Sequence, residues 1–166
     1  MADMRDPASY EAAIQPNTKI LYIETLTNPV LKVCDIPAMV AIAKKHNLLC
    51  IIDNTFASPW ACQPLSMGVD LVIHSTTKYL GGHSDIIGGG VVGSKELIAE
   101  VFGRKAVFGG NPDPHTCYLL ERGMRTLHVR MPTICDNAAE LAKRLEAHPM
   151  IERVNHTSLE SHDDYE

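Results

Sequence analysis

Residues 19–54 read KILYIETLTNPVLKVCDIPAMVAIAKKHNLLCIIDN, and this stretch decides the fold class. It opens on a short apolar run, residues 19–23 (KILYI), and closes on another, residues 48–52 (LLCII). Both are nearly continuous in apolar character, the pattern of strands covered on both faces. Between them lies a helical pattern. Asp35 can cap it, Pro37 falls in its first turn, and Met39, Val40, Ile42 and Ala43 share one face. Lys44, Lys45 and His46 place positive charge in the last turn, where the helix dipole favours it, and Asn47 can end it. Strand, helix and strand with short connections make the βαβ unit of a parallel sheet.

Working outward, residues 71–74 (LVIH) and 89–92 (GGVV) read as two further strands. A helix is expected after Ser94 (SKELIAEVF), and two more over residues 115–122 and 133–147. The last carries Ile134, Ala138, Leu141 and Leu145 on one face. Residues 109–114 (GGNPDP) read as a loop. The fold class is therefore α/β, a mainly parallel sheet flanked by helices. A sheet usually has about five or six strands, and four are legible here. Residues 151–154 begin a new strand-like element, and residues 161–166 (SHDDYE) trail off with nothing to complete it. The sheet is expected to be incomplete, and the chain to be cut at both ends.

Composition narrows the function classes. The 166 residues suffice for one domain with a real core. The 15 basic and 20 acidic residues give a net charge of −5, with no basic run to engage nucleic acid. No apolar stretch is long enough to span a bilayer, and residues 1–6 are polar rather than signal-like. The five cysteines form no CxxC pair, and none is spaced with a histidine for zinc, so reduced thiols and no metal are expected. These features point to a soluble, cytoplasmic protein.

Ligands of open parallel sheets bind beyond the carboxyl ends of the strands. The first strand delivers Glu24 and then Thr27-Asn28-Pro29 there. The second delivers Asp53-Asn54-Thr55, and the third Ser75-Thr76-Thr77-Lys78 followed by Gly81-Gly82-His83-Ser84-Asp85. Asp53 follows an apolar strand and is expected close to buried. It can serve a turn through Thr55, or be an anion for a cationic ring nitrogen. Lys78 is by default a solvated charge, but a desolvated lysine beside hydroxyls and glycines becomes a nucleophile for carbonyls. Asn28 can serve the turn before Pro29, or hydrogen-bond a cofactor oxygen. A carboxylate, a phosphate-binding hydroxyl pair (Ser75 and Thr77) and a Schiff-base lysine together are the groups a pyridoxal-phosphate site needs.

Residues 25–29 (TLTNP), 53–59 (DNTFASP), 75–85 (STTKYLGGHSD) and 122–131 (RGMRTLHVRM) resemble the Cys/Met-metabolism family of pyridoxal-phosphate enzymes. That family includes cystathionine γ-synthase, cystathionine β- and γ-lyases, methionine γ-lyase and O-acetylhomoserine sulfhydrylase. The resemblance runs from about residue 19 to residue 149. It implies the large domain of type I pyridoxal-phosphate enzymes over residues 1–132. Residues 133–166 are then a connecting helix and the truncated start of a C-terminal domain. It also implies pyridoxal 5'-phosphate as cofactor, with Lys78 holding it covalently and moving protons on the substrate. Asp53 pairs with the pyridinium nitrogen, Ser75 and Thr77 bind the phosphate, and Asn28 contacts the ring hydroxyl oxygen. Arg130, His83 and Asp85 match the family pattern too, with a structural role expected. The implied reaction cleaves or forms carbon–sulfur bonds in sulfur amino acids, and the implied assembly is a homotetramer of tight dimers.

Family members are about twice as long or more, and the segments that bind substrate carboxylate are not in this chain. The alternative is therefore a catalytically incompetent fragment that retains the Schiff-base lysine. A nucleotide-binding domain fails on motif grounds. No GxGxxG follows the first strand and no GxxxxGK[ST] appears.

Overall fold

The computed structural model describes residues 2–165. Met1, the first of the polar residues 1–6, and Glu166, the last of the 161–166 run, lie outside the described residues. The sheet has four strands, β1 (Ile20–Glu24), β2 (Leu49–Asp53), β3 (Leu71–Ser75) and β4 (Gly89–Gly93), in the order β1-β2-β3-β4. Each expected run forms its strand, shifted by one residue at one or both ends. The helices are α1 (Pro7–Ala12), α2 (Ile36–Lys45), α3 (Ser58–Ala61), α4 (Lys95–Phe108), α5 (Pro114–Met124) and α6 (Leu127–Glu146), with a short 3-10 turn at Pro64–Met67.

The first βαβ unit forms as its sequence dictates. Strands β1 and β2 run parallel with Ile20 opposite Leu49 and Glu24 opposite Asp53. The Asp35 carboxylate accepts from the Ala38 N–H at 3.0 Å and so caps α2. Asn47, at φ 53°, takes the left-handed conformation that turns the chain into β2. Strand β3 joins β2 in parallel, while β4 pairs antiparallel with β3. Residues 76–88 contain no crossover helix, so the chain reverses and β4 runs back alongside β3.

The strands are not covered on both faces. Burial alternates along β1 and β2, with Leu21, Ile23, Cys50 and Ile52 buried. These residues and Val72 pack against Met39, Val40 and Ala43 of α2 to form the core. A fully buried aliphatic of this kind contributes roughly 1.5–3 kcal/mol. On the opposite face Ile20 and Tyr22 are each 50% exposed. Among the described residues no helix lies over that end of the sheet, which is why the continuous apolar runs are buried on one side only.

Two elements depart from expectation. Helix α6 starts at Leu127 rather than 133, and Pro132 sits inside it. Proline removes a single hydrogen bond to the preceding turn, and the helix continues through it. Its expected apolar face is largely unburied, with Leu141 56% exposed, although Met131 and Ala142 are buried. Residues 151–154 form no strand. The chain after α6 instead folds back on the beginning of the protein.

That return makes a charged clasp. Arg5 pairs with Asp163 at 2.8 Å and with Asp164 at 2.9 Å. Asp164 also accepts from the Val33 N–H at 3.0 Å, and Lys32 pairs with Asp3 at 2.9 Å. The Arg5 guanidinium holds the Asp163 carboxyl below its ordinary range, and Lys32 does the same for Asp3. Leu159 and His162 are buried beneath the clasp. Residues 25–34 form a tight turn, closed by Thr27 N–H to Lys32 carbonyl and Cys34 N–H to Thr25 carbonyl bonds. The clasp grips its returning limb.

Candidate active site

The carboxyl ends of β1, β2 and β3 fall at one edge, because the parallel register sets Glu24 beside Asp53 and Asp53 beside Ile73. An open cleft of about 730 Å³ lies at that edge. Asn28, Asp53, Ser75, Thr77 and Lys78 all line it. Strand register sets the strand ends side by side, and the turns after β1 and β3 carry Asn28, Thr77 and Lys78 from there to the same cleft.

Asp53 uses one carboxylate oxygen to accept from the Thr55 N–H at 2.9 Å, so the turn role is filled. Its other oxygen has only the Tyr22 hydroxyl, at 3.5 Å. The turn and an outward-facing anion coexist in one side chain. Burial and the Asp53 carboxylate both push the Tyr22 hydroxyl above its usual pKa, which keeps it a neutral donor. Asp53 is half-buried rather than nearly buried. The fully buried neighbour is Asn54, whose amide donates to the Ser58 and Cys62 carbonyls and accepts from the Thr25 hydroxyl at 2.7 Å.

The Thr77 hydroxyl accepts from the Gly88 N–H at 3.0 Å, which ties the turn after β3 to the start of β4. Thr55 accepts from the Ser75 N–H at 2.7 Å and locks the β2 and β3 ends together. The Ser75 hydroxyl, the Asn28 amide and the Lys78 ammonium have no hydrogen-bond partner among the described residues. Lys78 is exposed to the cleft, so the desolvation expected for a nucleophilic lysine is not met. Strand alternation sends His74 to the opposite side of the sheet from Ser75. It lines a smaller cavity of about 330 Å³ with Cys62 and Leu65, and burial lowers its pKa. Among the described residues no cluster of three or more metal-ligating side chains occurs.

Sequence reading assigned too little to three residues. Asn54 was detectable by period two, since Cys50, Ile52 and Asn54 share the buried face. Thr55 makes the turn with Asp53 that was expected of it, while its side-chain lock on the Ser75 N–H gave no signal. Arg130, noted only for a structural role, comes from α6 to line the same cleft, with its guanidinium donating to the Tyr79 carbonyl at 2.9 Å. His83 turns its ring to the Gly81 carbonyl at 2.8 Å, a local contact.

The unengaged groups fit an aromatic aldehyde that carries a phosphate. A primary amine would meet the aldehyde, a carboxylate oxygen a protonated ring nitrogen, and hydroxyl and amide groups the oxygens. With a largely parallel sheet, this is the donor set of the class of pyridoxal-phosphate enzymes.

Comparison with known proteins narrows the class. The sequence profile described as Cys/Met metabolism PLP-dependent enzyme matches residues 1–166, and the chain belongs to that family. It is 46% identical over 169 residues to an L-methionine gamma-lyase of Porphyromonas gingivalis, covering 100% of this chain and 42% of that protein. It is 48% identical over 157 residues to a cystathionine gamma-lyase of Bacillus subtilis, covering 94% of this chain and 41% of that one. The crystal structure of cystathionine gamma-lyase from Lactobacillus plantarum complexed with L-serine superposes with a TM-score of 0.94 at 45% identity. That match covers 99% of this chain and 43% of the other. The chain thus spans less than half the length of these relatives.

Proposed function

We propose that this chain carries the cofactor-holding part of an enzyme that cleaves or forms carbon–sulfur bonds in sulfur amino acids, of the cystathionine or methionine γ-lyase or γ-synthase type. The observation that carries the reading is the convergence of Lys78, Asp53, Ser75, Thr77 and Asn28 on one cleft. The names of the relatives support the substrate class. Pyridoxal phosphate, when bound, supplies an electron sink for the substrate's α carbon.

In this reading the Lys78 amine would hold the cofactor and carry a proton at the substrate carbon. The outward Asp53 oxygen would serve a protonated ring nitrogen, and the Thr55 N–H holds that carboxylate in orientation. Ser75 and Thr77 donate to phosphate, with the Thr77 hydroxyl already fixed by Gly88. Asn28 reaches the ring hydroxyl oxygen from the turn before Pro29. Residues 1–132 then serve as the central part of the cofactor domain, and residues 133–166 as a connecting helix and the beginning of the next domain. A cytoplasmic homotetramer belongs to the same reading. It is supported by the large apolar side chains left exposed on β1 and α4, and among the described residues no helix is long and apolar enough to cross a membrane.

A second reading is favoured by the exposure of Lys78. An amine in water and a cleft open on one side hold substrate poorly, and orientation supplies several kcal/mol of catalysis. The chain by itself is then a cofactor-binding unit with little turnover. One experiment addresses both. The purified chain is incubated with pyridoxal phosphate and reduced with borohydride, and the modified peptides are mapped by mass spectrometry. A phosphopyridoxyl group on Lys78 that disappears in Lys78→Ala is expected. Label spread over surface lysines such as Lys95, or surviving in the variant, would sink the assignment of Lys78.

A further inference from the structure

Among the described residues, one side chain supplies the hydrogen bond from the helices to the turn that carries Lys78. Arg130 donates from Nη1 to the Tyr79 carbonyl at 2.9 Å, from Nη2 to the Gly123 carbonyl at 2.9 Å and from Nε to the Thr126 hydroxyl at 3.0 Å. The first acceptor is the carbonyl immediately after Lys78. The other two belong to the corner between α5 and α6. A guanidinium is a rigid planar fork, so three bonds in three directions fix the turn relative to that corner.

Two glycines show that the fit is built. Gly82 has φ +78°, and a Cβ placed there would overlap the Arg130 guanidinium. A Cβ on Gly123 would overlap the Gly81 carbonyl oxygen. Backbone of the turn and backbone of the corner touch directly, and the guanidinium fills the gap beside them. Within the turn, Gly81 N–H donates to the Thr76 carbonyl at 2.9 Å and Gly82 N–H to the Lys78 carbonyl at 2.8 Å. These bonds give the turn its shape, and a turn released from the corner opens them more often.

We propose that Arg130 is a positioning residue for Lys78. It holds the turn over residues 76–82 against the α5–α6 corner and thereby aims the Lys78 amine into the cleft, acting by geometry and not by charge. The proposal rests on the reading of Lys78 as the covalent lysine, and the test separates the two.

Arg130→Lys keeps the charge and loses the fork, and Arg130→Gln loses both. Each is compared with the wild-type chain by borohydride trapping with pyridoxal phosphate, and by hydrogen exchange at the Gly81 and Gly82 amides. With thermal midpoint unchanged, both variants are expected to lower labelling of Lys78 relative to the other lysines by roughly tenfold or more, the scale of a misplaced reacting group. A generally destabilised fold would not produce that selectivity at constant midpoint. Wild-type labelling in Arg130→Lys, with equal selectivity, overturns the proposal. If the wild-type chain itself does not label at Lys78, the covalent role falls, and exchange decides the positioning. Faster exchange at Gly81 and Gly82 in Arg130→Lys upholds it, and unchanged exchange overturns it. Should the Arg130 variants fail to fold, Thr126→Val removes one arm of the fork on an exposed residue. A partial loss of selectivity is then expected, and none refutes the three-point tie.

Discussion

Adjacent residues with opposite fates dominate the chemistry here. Asp53 and Asn54, like His74 and Ser75, alternate across the sheet, so one member of each pair faces the cleft and the other the interior. His74 shows the cost of the interior. Burial lowers its pKa, a shift that the Asp53 charge only partly opposes, so the folded chain resists protonating it. The unfolded chain, with histidine near its ordinary value of 6.5, binds that proton more readily. Stability from this source is full above the unfolded value and declines as pH falls below it, until the folded pKa is passed. The denaturant midpoint is expected to fall between about pH 7 and pH 5, and His74→Gln to flatten that slope. An unchanged slope in the variant means that other groups carry the acid sensitivity. The carboxylates paired with Arg5 and Lys32 act lower, in the acid range of aspartate.

The buried thiols tell a related story at the same scale. Cys34 and Cys50 are pushed up to about 12 and about 11 by burial, which leaves them protonated and unreactive at neutral pH. Both are free thiols packed in the core.

At the scale of elements, local signals were read well where local physics decides. The Asp35 cap, the basic last turn of α2 and the stop at Asn47 all act over a few residues, and each is where the sequence put it. Asp35→Ala is expected to cost about 1 kcal/mol, the usual loss of a cap on an exposed residue. Urea titration would read it as a shift in midpoint without a change in slope. Helix α6 was read too short because Pro132 resembles a start signal, while the packing of Met131 and the Arg130 fork hold the helix through it. The antiparallel turn of β4 was illegible for a different reason. Strand direction depends on the path of residues 76–88, and no periodicity records a path.

At the scale of the whole molecule, the cleft-lining candidates were legible because strand register follows from sequence and sets the strand ends, with the turns that leave them, at one edge. Arg130 was not, since its three acceptors are fixed only when α6 docks. The clasp was equally hidden. Nothing in residues 161–165 announces that Asp163 and Asp164 return to Arg5, more than 150 positions away in sequence. Arg5→Ala is expected to weaken cofactor retention through the turn that carries Asn28, while leaving Lys78 labelling selective. Its readout is the concentration of pyridoxal phosphate needed for half-maximal trapping.

The Val33 amide gives that clasp a clock. Its hydrogen-bond acceptor, Asp164, is separated from it by 131 positions of chain, so the bond exists only while the far end stays docked. Contacts of such long range close late and open early. Deuterium should therefore enter at Val33 sooner than at amides within the β1–β2 ladder. The interval between the two would time how often the molecule lets go of its own end.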